Sequence, residues 1–130
     1  MFRLILCVAS LVTMSGIASA QTTAVEASEI CRAAIASVMG RDPSIMRTRV
    51  VDNIQYVSYV RPDDGKVWTY RCRLEGNRVV WAGEQGRWRT HPSDEVITYE
   101  LSPGGKSVQI TEVHEDASKI RKTFPRTKLR

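Results

Sequence analysis

The stretch Lys66–Ala82, KVWTYRCRLEGNRVVWA, holds two alternating runs on either side of Glu75-Gly76-Asn77. In the first run Trp68, Tyr70, Cys72 and Leu74 alternate with Thr69, Arg71 and Arg73. Period-two alternation of this kind marks a strand with one face on a core and the other in water. Gly76-Asn77 supplies turn chemistry, and Arg78–Ala82 returns beside the first run, which brings Trp81 near the same region. The stretch therefore predicts a central hairpin, with Trp68, Tyr70, Cys72 and Leu74 turned inward and Arg71 and Arg73 outward.

Cys72 directs attention to the other cysteine of this part of the chain. Thr23-Ala-Val-Glu26 has the form of a capping box. Ala27, Ile30, Cys31, Ala34, Ile35 and Val38 then recur at helical spacing, and Glu26, Glu29, Arg32 and Ser37 are expected on the opposite, solvent side. Gly40 suits the position past the last turn, and Asp42-Pro43 stops the element or caps one further short turn. Cys31 lies in the apolar stripe, so a Cys31–Cys72 disulfide would lay the helix on the inner face of the hairpin. The closed loop would hold about 40 residues, for which chain entropy allows roughly 4 kcal/mol as an upper figure. An intermolecular bridge and free thiols are the alternatives. A metal site fits less well, because neither His91 nor His114 stands at ligand spacing to either cysteine.

The remaining segments read as strands and turns. Thr48–Val51 and Gln55–Arg61 precede Pro62-Asp63-Asp64-Gly65, a turn in which proline fixes φ and glycine takes positive φ. Beyond the central hairpin come a loop at Gly83–Gly86, an extended piece at Arg87-Trp88-Arg89, and strands at Glu95–Leu101, Ser107–Val113 and Lys119–Phe124. The expected fold class is α+β: one N-terminal helix packed on a curved antiparallel meander of about six strands, tied to it by Cys31–Cys72. Closure of the sheet into a barrel is the alternative.

The ends carry different signals. Arg3 followed by an apolar run from Leu4 to Val12 and the small residues Ala18-Ser19-Ala20 predicts a signal peptide over residues 1–20. That implies export to a periplasmic or extracellular space, where disulfides persist, and a chain that is not transmembrane after cleavage. Residues 21–124 read as a single domain, and 125–130 as a basic, unpacked C-terminal tail. The chain's net charge is +5, yet Lys119–Arg130 alone carries six cations and no acid, and residues 21–118 hold 12 bases against 14 acids. Basicity is thus local, and with export it points away from nucleic acid.

No residue set specifies chemistry. Ser93 and Asp94 lie close to His91, but sequence neighbours on a loop do not by themselves make a nucleophile–base–orienter array. An enzyme using His91 is the weakest of the functional alternatives. Asp63-Asp64, Asp94-Glu95 and Glu115-Asp116 all fall in turns, where acids bond to the local backbone. No Gly-rich phosphate loop, CxxC or HExxH occurs, so no cofactor and no metal are expected. The candidates for contact with an anionic partner are Arg71, Arg73, Arg87, Trp88 and Arg89 (with Arg78 on the same face) and Arg126, Lys128 and Arg130 of the tail. The leading expectation is a non-enzymatic binding module for an envelope protein, an anionic cell-wall polymer or a lipid surface.

Tyr70-Arg71-Cys72 within a small, exported, strand-rich domain resembles the C-type lysozyme inhibitors of bacterial envelopes. The likeness is confined to that tripeptide and the overall style, and those inhibitors are barrels without a long N-terminal helix. No residue role is carried over. What the resemblance implies is an inhibitor of a cell-wall hydrolase; independently of it, the turns Pro62–Gly65 and Gly83–Gly86 are the segments such an inhibitor would present.

Overall fold

The computed structural model describes residues 22–130; the expected signal peptide lies outside the described residues. The chain forms helix α1 (Ala24–Met39) and seven strands, β1 (Arg47–Val51), β2 (Ile54–Val60), β3 (Val67–Glu75), β4 (Arg78–Gly83), β5 (Val96–Leu101), β6 (Ser107–Val113) and β7 (Lys119–Pro125). Short 3-10 turns follow α1, at Pro43–Ile45, and β7, at Arg126–Lys128. The strands make one antiparallel sheet in sequence order, β1 through β7. β1 and β7 are its edges and do not pair, so the sheet is open and the barrel alternative is set aside.

Helix α1 starts where the capping box places it. The Thr23 hydroxyl accepts the Glu26 N–H at 3.1 Å, and the Glu26 carboxylate accepts the Thr23 N–H at 3.5 Å. It ends at Gly40, whose φ of 62° lets Arg41 return its N–H to the Ala36 carbonyl. The inner disulfide is present, with the Cys31 and Cys72 Cα atoms 5.9 Å apart and both residues fully buried.

The expectation of a solvent-facing stripe on α1 is corrected. Every residue from Glu29 to Ser37 is buried, including Glu29, Arg32 and Ser37. The curved sheet packs on the helix through β1 to β6, and the residues after β7 close over it. Leu129 is 1% exposed and belongs to the main core with Ile30, Ile35, Val57, Ile97, Val108 and Ile110. The polar residues of the helix find part of their partners in these surroundings: Ser37 donates to Glu112 at 2.7 Å and Arg32 Nη2 donates to the Thr48 hydroxyl at 3.1 Å, while Arg32 Nε is buried without a hydrogen bond. Lys122 of β7 donates to the Ser37 carbonyl at 2.9 Å.

The reading of 125–130 as an unpacked tail is corrected by the same contacts. A single leucine among cations looks too weak to dock a segment, but it enters a core that lacks one side without it. Arg126 then supplies the counterion that buried Glu29 requires, with Nε 2.5 Å from Oε2.

Three further differences concern the hairpins. Asp52 and Asn53, which in sequence look like polar interruptions of a strand, have φ of 51° and 61° and form the two-residue turn between β1 and β2. Trp68 shares a face with Tyr70 and Cys72 but is 40% exposed, with the Arg61 guanidinium 5.0 Å from its ring. Arg87-Trp88-Arg89 is not a strand. β4 and β5 pair only at Arg78↔Thr98 and Val79↔Ile97, and the chain between them folds back, with the Arg89 N–H on the Trp81 carbonyl at 2.9 Å.

Candidate functional site

The convex face of β3 and β4 gathers the first set of candidate residues. Arg71 and Arg73 stand opposite Ala82 and Val80 in register, on the side away from α1. Val80 and Ala82 are almost fully buried although they lie outside the main core. What covers them is the segment after β4: both guanidiniums lie over the Trp88 ring, at 4.7 Å for Arg71 and 4.3 Å for Arg73. Arg71 also donates to the carbonyls of Gly83, at 3.1 Å, and Gly86, so it holds the Gly83–Gly86 turn in place.

Arg87 and Arg89 face acids rather than solvent partners. Arg87 forks onto the buried Asp94 carboxylate at 2.7 and 3.1 Å. Arg89 bridges Asp94 at 3.1 Å and Glu95 at 3.0 Å and lies 5.0 Å from the Trp81 ring. The hydrogen bond from Arg87 is the chief cause that holds the Asp94 carboxyl down at about 2. Burial pushes the Glu95 carboxyl up, but Arg89, its own backbone and the Trp81 indole outweigh it, leaving the group below its ordinary value.

Six arginine–aromatic pairs occur among the described residues, among them Arg61 on Trp68 and Arg49 on Tyr56. Ordinary structures hold about one per 70–80 residues. Most arginines of the convex face are therefore engaged in holding the loop and capping rings.

His91 sits on an exposed bend. Asp94 accepts the His91 backbone N–H at 3.0 Å, and His91 Nδ1 accepts the Ser93 N–H at 3.1 Å. The three residues thus form a local turn with the Asp94 carboxylate directed to Arg87 and Arg89. Two further groups have large shifts: the hydrogen bond from Arg61 holds the Asp64 carboxyl down at about 2, and Tyr70 moves the other way. Burial first, and the Tyr59 hydroxyl second, push its phenol up to about 12. Among the described residues no cluster of three or more His, Cys, Asp or Glu is placed to hold a metal ion, and no described helix is long and apolar enough to cross a membrane.

The C-terminal candidates lie on the other side of the β3–β4 sheet, over α1. Arg126 is drawn into the Glu29 pair, Arg130 approaches the same carboxylate at 3.6 Å with most of its side chain exposed, and Lys128 is exposed without an ion pair among the described residues. Sequence reasoning did not single out Lys106, Lys119 and Arg121 as contact residues. They are exposed on or beside the β7 edge and likewise form no ion pair among the described residues. The strand pairing of β7 was the signal that could have found them, since it separates inward Lys122 from outward Lys119 and Arg121.

Comparison of the chain with protein-family models, curated proteins and solved structures finds no match.

Proposed function

We propose that the protein is an exported, non-enzymatic domain that binds an anionic surface of the cell envelope through the cations beside the β7 edge. The observation that carries the reading is that Lys106, Lys119, Arg121 and Lys128 are exposed and form no ion pair among the described residues, whereas Arg87 and Arg89 are paired with Asp94 and Glu95. Export is supported by the signal-like first twenty residues and by a buried disulfide, which persists in an oxidising compartment. The non-enzymatic reading is supported by the exposed turn around His91, whose carboxylate neighbour is engaged by arginines.

The test replaces Lys119 and Arg121 together by serine and measures binding to vesicles with and without anionic lipid, and to an anionic wall polymer. Surface cations contribute about 1 kcal/mol each near an anionic membrane, so the double substitution weakens binding roughly 30-fold and added salt abolishes it. Binding that is insensitive to salt or to the double substitution overturns the reading. Comparison of the vesicle and polymer arms assigns the source of the charge.

A second reading, inhibition of a cell-wall hydrolase, is favoured by one arrangement: Pro62–Gly65 leads directly into the exposed Val67 and Trp68, and the Gly83–Gly86 turn lies beside them. An inhibitor would slow a muralytic enzyme in stoichiometric mixture, and unchanged rates across a panel of such enzymes remove this alternative.

A further inference from the structure

β3 is a central strand of the sheet, yet its first three residues have a neighbour on one side only. The last pair between β3 and β4 is Tyr70↔Gly83, and β4 ends there in the Gly83–Gly86 turn, closed by the Gly86 N–H on the Gly83 carbonyl at 3.2 Å. Val67, Trp68 and Thr69 continue beside β2 alone, opposite Val60, Tyr59 and Ser58.

The direction of their backbone groups follows from the parity of antiparallel pairing, in which hydrogen-bonded and non-bonded pairs alternate. Arg61 donates its N–H to Lys66 O at 2.8 Å, so Arg61 and Lys66 form the bonded pair that closes the β2–β3 turn. Val60–Val67 is then a non-bonded pair, Tyr59–Trp68 a bonded one and Ser58–Thr69 non-bonded. The β3–β4 hairpin gives the same phase: Glu75–Arg78 closes a two-residue turn, and counting back by twos makes Arg73 and Arg71 the residues bonded to β4. The Trp81 carbonyl accordingly points away from β3, to Arg89. The N–H and C=O of both Val67 and Thr69 therefore point to the side where β4 has ended; the terminal Tyr70↔Gly83 pair, being non-bonded, turns the Glu84 N–H toward the Thr69 carbonyl, and the two Val67 groups lie beyond the last residue paired from β4.

This edge faces a groove lined by Val67, Trp68, Thr69, Tyr70, Glu84 and Gln85. Val67 is 67% exposed and Trp68 40%. The sheet's terminal strands are guarded by charge, Arg47 and Arg49 on β1 and Lys119 and Arg121 on β7, as proteins guard edges against pairing. The Val67–Thr69 run carries no charge.

We propose that this open edge binds an extended peptide segment of a partner protein, which adds as a short strand beside Val67–Thr69. The peptide would place an apolar side chain over Val67 or Trp68 and a basic one near Glu84, which is exposed and forms no ion pair among the described residues. A second copy of the chain fits less well, because a three-residue edge falls far short of the roughly 1,200 Å² that stable interfaces bury. The site is independent of the β7 cations.

The test uses labelled seven-residue peptides of alternating valine and threonine, ending in lysine or in glutamate, and the same peptides N-methylated at alternate amides. The lysine-ended peptide should bind saturably and perturb the amide resonances of Val67 and Thr69. Binding should fall at least about tenfold on N-methylation, which removes two backbone hydrogen bonds, and on Val67→Lys, which puts a guard charge on an exposed position without touching the core. Glu84→Gln should erase the preference for lysine over glutamate. Absence of saturable binding, or binding indifferent to N-methylation and to Val67→Lys, overturns the proposal. Self-association abolished by Val67→Lys would overturn it in favour of a second copy.

Discussion

The pairing of Glu29 with Arg126 sets the stability of the C-terminal closure, and replacing Arg126 by leucine measures it. The Glu29 side chain is 3% exposed and its Oε1 has no hydrogen bond, so the contact of Oε2 with Arg126 Nε at 2.5 Å is the bond that compensates its burial. Arg130 stands 3.6 Å away with 67% of its side chain exposed, and a solvated cation at that distance contributes little. Removing one partner of a buried pair costs about 3–5 kcal/mol. At a urea slope of about 1–2 kcal/mol/M, the low end of that range moves the unfolding midpoint down by roughly 1.5–3 M. Replacing Glu29 by methionine in the same chain removes the stranded charge and should restore most of the loss. The reasoning is refuted if Arg126→Leu shifts stability by less than about 0.5 kcal/mol, as an exposed pair would, or if the double variant is no more stable than the single one.

Other outcomes follow from the same contacts. Cys31→Ser with Cys72→Ser should lower the unfolding free energy by up to about 4 kcal/mol in the chain-entropy account of a loop this long, with the loss read by urea denaturation. Trp88→Ala uncovers Val80 and Ala82 and frees Arg71 and Arg73; a loss of about 1–3 kcal/mol in thermal unfolding, with faster amide exchange in β4, is expected. The Asp94 carboxyl sits at about 2 in the folded chain, below its ordinary value near 3.9, so its stabilisation is full above about pH 4 and is lost as pH falls through 2. Asp94→Asn should therefore be less stable than the parent at pH 6 and lose less on acidification from about pH 4 to 2; parallel acid profiles would count against this assignment.

Period and turn chemistry carried the architecture. The alternation around Cys72, the helical stripe around Cys31 and the glycine and proline turns led to the helix, the meander and the disulfide. What local patterns could not carry was enclosure. Helical periodicity divides α1 into an apolar and a polar side, but it does not say that a curved sheet and Leu129 will cover both. The burial of Glu29 becomes intelligible only with Arg126, 97 residues later in the chain. Trp68 shows the complementary case: alternation gives its face, but not that the face is partly bare there. The arginines around Trp88 were grouped from sequence, and Arg71 and Arg73 do meet it. Their engagement with rings, carbonyls, Asp94 and Glu95 depends on the fold of the Gly83–Glu95 segment, which has no periodicity to read. Of the cations left without an ion pair, Lys128 was legible as part of the basic C-terminal run, whereas Lys119 and Arg121 stood out only with the register of β7.

Hydrogen exchange resolved along α1 tests the central structural claim, that the helix is enclosed by the sheet and closed over by the C-terminal segment. The amides from Ala33 to Met39 should exchange as slowly as those of β3, only through global unfolding, and Leu129→Ala should accelerate both together by lowering the stability of the whole domain. Rapid exchange in α1 while β3 stays protected, or exchange in α1 that is indifferent to Leu129→Ala, would contradict it.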